Sequence, residues 1–200
     1  MTFAPTATPP SGERVIPSRE SAAPLARAEP VRLGPMPGSS TMVTNDAGFA
    51  RVPVLSMFEI VRDVEAWPTH LSHYRSVHIL ERDSEGGGVV TMRADRPFGA
   101  LRWPTSWTSL MEVDAARHAV RFRHIGGLTT GMEVEWSFAA APGSTDGAHG
   151  TRIRLVHNWR GWALPLVGPA LATSLIGPVF VHGIAERTIA GLVGAAEKRA

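Results

Sequence analysis

Between residues 119 and 159 three segments alternate apolar and charged side chains with a period of two, and little besides an antiparallel sheet with one dry face satisfies that pattern. In the first segment Val120, Phe122 and His124 share a face, opposite Arg121 and Arg123. In the second, Met132, Val134 and Trp136 oppose Glu133 and Glu135. In the third, Ile153, Leu155, His157 and Trp159 oppose Arg152 and Arg154. A sheet that is apolar on one side needs a cover. The apolar stretch 165–197 is long enough to provide one, and a curved sheet gripping a helix leaves room for a cavity between them.

The remaining chain extends this plan to an α+β domain. A strand is expected over 43–52, and Pro53 then suits the first turn of a helix reaching about Glu65, with Leu55, Phe58, Ile60 and Val61 buried. Trp67-Pro68 should end that helix, because a residue preceding proline avoids helical geometry. Strands follow at about 76–83, 88–97 and 103–113, the first two joined through the turn-forming run Asp83–Gly88. The last helix begins near Leu171 or Gly177 and runs to Lys198.

Residues 1–41 hold eight of the sixteen prolines and no periodic apolar face, so they read as a disordered Pro/Ala-rich tail ahead of one domain at 42–200. Met42 is a candidate start codon.

Several function classes drop out on composition. With no cysteine there is no disulfide, thiolate catalysis or Cys-based zinc site. A formal charge of +2, and arginines that alternate along strands as a solvated face would, give no nucleic-acid footprint. No secretory signal is visible, so a cytoplasmic location is expected. The 23 residues from Trp162 to Ile184 lack Asp, Glu, Lys and Arg, yet Pro165, Pro169 and Pro178 break them, and a buried cover is expected in place of a membrane span. His70-Leu-Ser-His73 has a ligand-like spacing without a third ligand, so no metal is assigned. Gly86-Gly-Gly88 lies between strands and reads as a turn, so no nucleotide cofactor is expected either.

Particular residues carry a resemblance. Asp63-Val-Glu-Ala-Trp67-Pro68, Leu71-Ser-His-Tyr74-Arg75-Ser-Val77 and Trp107 are followed by His124-Ile-Gly-Gly and Gly131-Met-Glu-Val-Glu-Trp136. Thr151-Arg-Ile-Arg-Leu-Val-His157 and Ile184-Ala-Glu-Arg-Thr188 complete the set. Over 43–197 the chain resembles the START-like helix-grip superfamily, also called SRPBCC, and within it the polyketide cyclase/dehydrase branch. The resemblance implies a curved antiparallel sheet wrapped around a long C-terminal helix, with an internal cavity for a hydrophobic small molecule or acyl chain. It implies three functions without choosing among them. One is aromatase/cyclase chemistry on a polyketide. The second is non-catalytic carriage of a lipid or quinone, resembling coenzyme Q-binding proteins. The third is an interaction role resembling the ribosome-association toxin branch.

On the apolar face the polar minority is Arg96, His124 and His157, the candidate catalytic set. A histidine can move protons near neutrality, and a fixed arginine can stabilise an enolate oxygen. An arginine inside the cavity is proposed to matter in some cyclases, although no motif transfers that role to Arg96. A structural role, with Arg96 at the rim and two hydrogen-bonded core histidines, competes for all three. Candidate ligand-lining residues are Tyr74, Met92, Trp107 and Phe122, then Met132, Trp136 and Trp159, with Trp103 beside them. Glu133 and Glu135 are expected on a wet outer face.

Overall fold

The computed structural model describes residues 23–38, 40–98, 101–141, 150–161 and 181–200, with the main chain alone at 96–98, 101 and 102. The short strand β1 (Leu25–Ala26) and the long β2 (Met42–Ala50) precede two helices, α1 (Val54–Arg62) and α2 (Trp67–His70). Six strands follow: β3 (Tyr74–Arg82), β4 (Gly88–Phe98), β5 (Leu101–Asp114), β6 (Ala119–Gly127), β7 (Glu133–Ala140) and β8 (Thr151–Trp159). Helix α3 (Gly183–Arg199) closes the chain. The spacing-derived strands are therefore present with ends shifted by a few residues, and 151–159 is matched at both ends.

The sheet order is β1-β3-β4-β5-β6-β7-β8-β2. Strands β3 to β8 form an antiparallel meander, and β2 returns to pair with β8 at the far edge. Register shifts within β3–β4 and between Thr108 and Ser109 of β5 mark bulges, which bend a sheet and deepen its concave side. At the second of these Gly127 has φ 94°, and a Cβ there would lie 2.4 Å from the Ser106 carbonyl oxygen. The concave face is covered by α3, whose buried residues Ala185, Thr188, Ile189, Leu192 and Ala196 recur every three or four positions. The helix sits close because Gly48 on β2 has no side chain. A Cβ at that position would approach Ile189 Cγ2 to 2.4 Å.

Three local expectations need correction. Leu55 is exposed and Met57 takes its place in the core, since Met57, Phe58, Ile60 and Val61 are the residues α1 turns inward. Trp67 does not stop a helix: Asp63 does, at φ −80° and ψ 67°, while Trp67 is helical at φ −54° and ψ −40°. Pro68 stands in the first turn of α2, where its missing N–H is not needed. Burial of the indole and its Nε1 hydrogen bond to the Val61 carbonyl (3.1 Å) hold Trp67 in that geometry against the usual pre-proline preference.

The largest correction concerns the tail. Residues 1–22 lie outside the described residues, but 23–38 form an ordered strap across the convex face of the sheet. Val31 and Leu33 are 4% and 5% exposed. The Val31 N–H donates to Asp83 Oδ2 (2.9 Å) and the Leu33 N–H to Glu112 Oε2 (3.1 Å), while Arg123 Nη2 donates to the Leu33 carbonyl (2.7 Å). Beneath the strap the alternating charges are not a wet face. Arg121 lies between Glu112, Glu133 and Glu135 at 3.0–3.5 Å, Arg123 meets Glu133 at 2.7 Å, and Glu133 is only 4% exposed. At the strap's exposed margin Arg32 pairs with Glu85, and its hydrogen bond holds the Glu85 carboxyl below the ordinary carboxylate range. The small contribution of this surface pair is therefore present above that range and lost as pH falls.

Asp83 ties the strap to the β3–β4 turn. Its Oδ1 accepts from the Glu85 and Gly87 N–H groups (2.9 and 2.8 Å) while Oδ2 holds Val31. Asp83→Ala orphans three donors, two of them at buried positions, and should lower unfolding stability by about 2 kcal/mol. The check is the midpoint of urea unfolding; an unchanged midpoint would show that water replaces the carboxylate at no cost.

Candidate functional site on the concave face

Each strand contributes alternate residues to the concave wall. Tyr74 from β3, Met92 from β4, Trp107 from β5, Phe122 from β6 and Trp136 from β7 are all buried there, with Trp159 from β8 and Met132 just before β7. They divide into two groups according to what fills the space above them. Trp67, carried in by α2, packs edge-on against Tyr74, Phe122 and Trp136, with ring centroids 5.3, 6.2 and 6.1 Å away. These three are therefore partly occupied by the protein's own side chain. Trp107, Met132 and Trp159 lie beside His124, and Trp107 also meets Tyr74, with ring centroids 6.0 Å apart.

The β6–β7 turn shapes that end. Gly131 N–H donates to the His124 carbonyl (2.8 Å) and His124 N–H to the Met132 carbonyl (2.9 Å), which brings His124 and Met132 side by side. The same turn supplies polar partners for two wall residues. Thr129 Oγ1 meets His124 Nδ1 at 2.6 Å, and the Thr130 carbonyl accepts from Trp159 Nε1 at 3.0 Å. His124 also faces Trp107, with ring centroids 5.9 Å apart.

His157 lies in a different row. Across the sheet it pairs with Val134 on one side and Thr44 on the other, whereas His124 is in the row of Met132 and Trp159. At strand spacings of about 4.8 Å and rises of about 3.4 Å the two histidines are about 12 Å apart. Arg96 is in phase with Val90, Met92 and Ala94, but it sits six residues along β4 from Val90, or about 20 Å. Val90 opposes Ser109, which in turn opposes His124. The backbone thus places all three candidate catalytic residues on one phase of the sheet without bringing them together. The Arg96 side chain lies outside the described residues. Its partner across β4–β5, Trp103, is 63% exposed and does not line the buried wall.

A polar cluster around His157 escaped the sequence reading. Thr44 Oγ1 is 3.2 Å from His157 Nδ1 and 3.3 Å from Asp46 Oδ2. Asp46 is buried on the concave side of β2, with its Oδ2 4.0 Å from His157 Nδ1, and its Oδ1 accepts from His182 Nδ1. Nothing local announced this, because the inward residues between Met42 and Ala50 on β2 are Thr44, Asp46 and Gly48, while the apolar Val43 and Phe49 point outward. The His70/His73 pair serves a structural purpose: His73 Nε2 meets Thr188 Oγ1 on α3 (3.1 Å), and His70 Nε2 lies 3.3 Å from Arg199. Among the described residues no group of three His, Cys, Asp or Glu could hold a metal ion, and no helix is long and apolar enough to cross a membrane. Residues 162–180 of the uncharged stretch fall outside the described residues.

Against known proteins, residues 51–174 match the family model described as polyketide cyclase/dehydrase and lipid transport. Among solved structures the chain is similar to the Zhui aromatase/cyclase from a Streptomyces species, at 22% identity over 78% of this chain and 94% of that one, with a TM-score of 0.65. A START superfamily protein from Mycobacterium smegmatis is 17% identical over 80% of this chain and 99% of that one, TM-score 0.61. The di-domain ARO/CYC BexL is 19% identical over 78% of this chain but only 46% of its own length, TM-score 0.58. No curated protein matches the chain by sequence. At these identities the structural likeness is one of fold, the START-like helix grip.

Proposed function

The chain belongs to the polyketide cyclase/dehydrase and lipid transport family, and from that membership we propose that its concave face binds a hydrophobic small molecule or acyl chain and cyclises and dehydrates a polyketide-like substrate. The observation that supports this reading is a pair of histidines, His124 and His157, on a face that is mostly apolar and rich in Trp, Phe, Met and Val. An apolar wall holds a folded poly-β-ketone, and the histidines supply proton transfer where water is scarce. In the step proposed, a base removes a proton from a methylene between two carbonyls. The resulting enolate carbon bonds to a carbonyl carbon farther along the chain, whose oxygen takes up a proton, and loss of one water then leaves the ring double bond. His157 and His124 are the proposed proton carriers. Arg96 is the proposed cation for carbonyl oxygens toward the far end of β4. Tyr74, Met92, Trp107, Phe122, Met132, Trp136 and Trp159 are the proposed walls.

The test is native mass spectrometry with organic extraction on the full chain purified from its own host, followed by turnover of a poly-β-ketone thioester. A bound polyketide is expected. His124→Gln and His157→Gln should each slow cyclisation by about 100-fold or more while still binding the chain. Near-stoichiometric long-chain lipid or quinone, with turnover absent from the unmodified protein, would overturn catalysis in favour of carriage.

A further inference from the structure

Asp46 is a carboxylate whose side chain is 1% exposed, held on β2 between two histidines that differ in their access to water. On the inner side it reaches His157 through Thr44, and on the outer side His182, 52% exposed, donates from Nδ1 to Asp46 Oδ1. His182 Nε2 in turn lies 3.3 Å from Glu186 Oε1 at the surface of α3. The chain of contacts runs from solvent, through His182, Asp46 and Thr44, to His157 on the concave wall.

Hydrogen-bond counting fixes more than proximity. An ionised carboxylate only accepts, and a threonine hydroxyl has one proton to give. With that proton on the bond to Asp46 Oδ2, Thr44 Oγ1 can only accept from His157 Nδ1, so Nδ1 must carry the ring proton. The reverse arrangement sets a hydroxyl lone pair against a carboxylate lone pair at 3.3 Å. The carboxylate 4.0 Å from Nδ1 favours the N–H there as well. A neutral ring held in this way has its basic lone pair on Nε2, on the opposite side from β2.

We propose that Asp46 and Thr44 are positioning residues that hold His157 as its Nδ1–H tautomer with Nε2 as the base, and that His182 connects this base to solvent protons. The functional meaning rests on the reading of His157 as a proton carrier, but the tautomer is measurable with no substrate present. A histidine side chain in water prefers the proton on Nε2, so the unusual tautomer is itself the signature. Asp46 and Thr44 on β2 and Glu186 on α3 face these two rings, and among the described residues Asp46 is paired with His157 and His182.

The experiment is long-range proton–nitrogen NMR of the full chain labelled at histidine, at a pH where His157 is neutral and with its signals assigned by their loss in His157→Gln. The unmodified protein should show a protonated Nδ1. Thr44→Val, close in shape, should move the proton to Nε2 in most molecules, whereas Thr44→Ser should restore the original tautomer. His182→Phe should slow exchange of the Nδ1 proton with water several-fold. An Nε2–H tautomer in the unmodified protein, or no change in folded Thr44→Val, would overturn the positioning role. Faster exchange in His182→Phe would overturn the solvent connection, since that residue would then be a cover. A confirmed tautomer together with absent turnover would leave the relay standing and sink the cyclase reading, so the two failures are distinguishable.

Discussion

A chain that starts at Met42 is expected to be about 3–6 kcal/mol less stable than the full chain and to melt roughly 10–20 °C lower. That start removes Val31 and Leu33 from buried positions, and each is worth about 1.5–3 kcal/mol of apolar burial. It also uncovers Glu133 and Arg121, whose ion pairs then lie in water and contribute little. Asn158 loses the Pro37 carbonyl that its Nδ2 donates to at 2.9 Å. Leu33→Asp in the full chain separates burial from mere chain length: it should reproduce a large part of the loss. Calorimetric melting of the three proteins checks this. A Met42-start chain that melts within about 2 °C of the full one would mean that the strap only lies on the sheet and does not hold it.

The second large effect is at Trp67. Trp67→Ala deletes the ring around which Tyr74, Phe122 and Trp136 are arranged and should cost about 3–5 kcal/mol. Its indole also ties α2 to the end of α1 through the Val61 carbonyl. Trp67→Phe keeps most of the volume and loses that hydrogen bond, so it should cost less than half as much. The same substitution reports on the site. Trp67→Ala opens space above the middle of the concave wall, so a hydrophobic fluorescent probe should bind more tightly even as denaturant resistance falls. A weaker signal from a folded Trp67→Ala protein would show instead that Trp67 forms part of the probe's own surface.

Much of this was readable in the chain. Alternation alone sets which residues of β6, β7 and β8 share a face, with His124 and His157 among the inward ones. The resemblance supplied the helix grip. What failed had specific causes. Residues 23–38 read as tail because Pro and Ala dominate and Val31 and Leu33 are too few to make a periodic signal. Glu133 read as solvent-facing because alternation gives a side and not what lies against it. Arg96 shares the phase of the histidines, and phase says nothing of distance along a strand.

The sequence by itself determined the strands, their two faces and the absence of thiol chemistry, since each follows from side-chain type at a local spacing. Tertiary structure alone decided the partners. The Thr44–His157 and Asp46–His182 contacts join residues 113 and 136 positions apart, and they exist because β2 returns to the edge of β8 and α3 closes over Gly48. The strap is the same case on the other face, where Arg123 reaches back 90 positions to the Leu33 carbonyl. A period of two is set by backbone geometry within a few residues, whereas pairing across the sheet is set by the burial and hydrogen bonding of the whole chain.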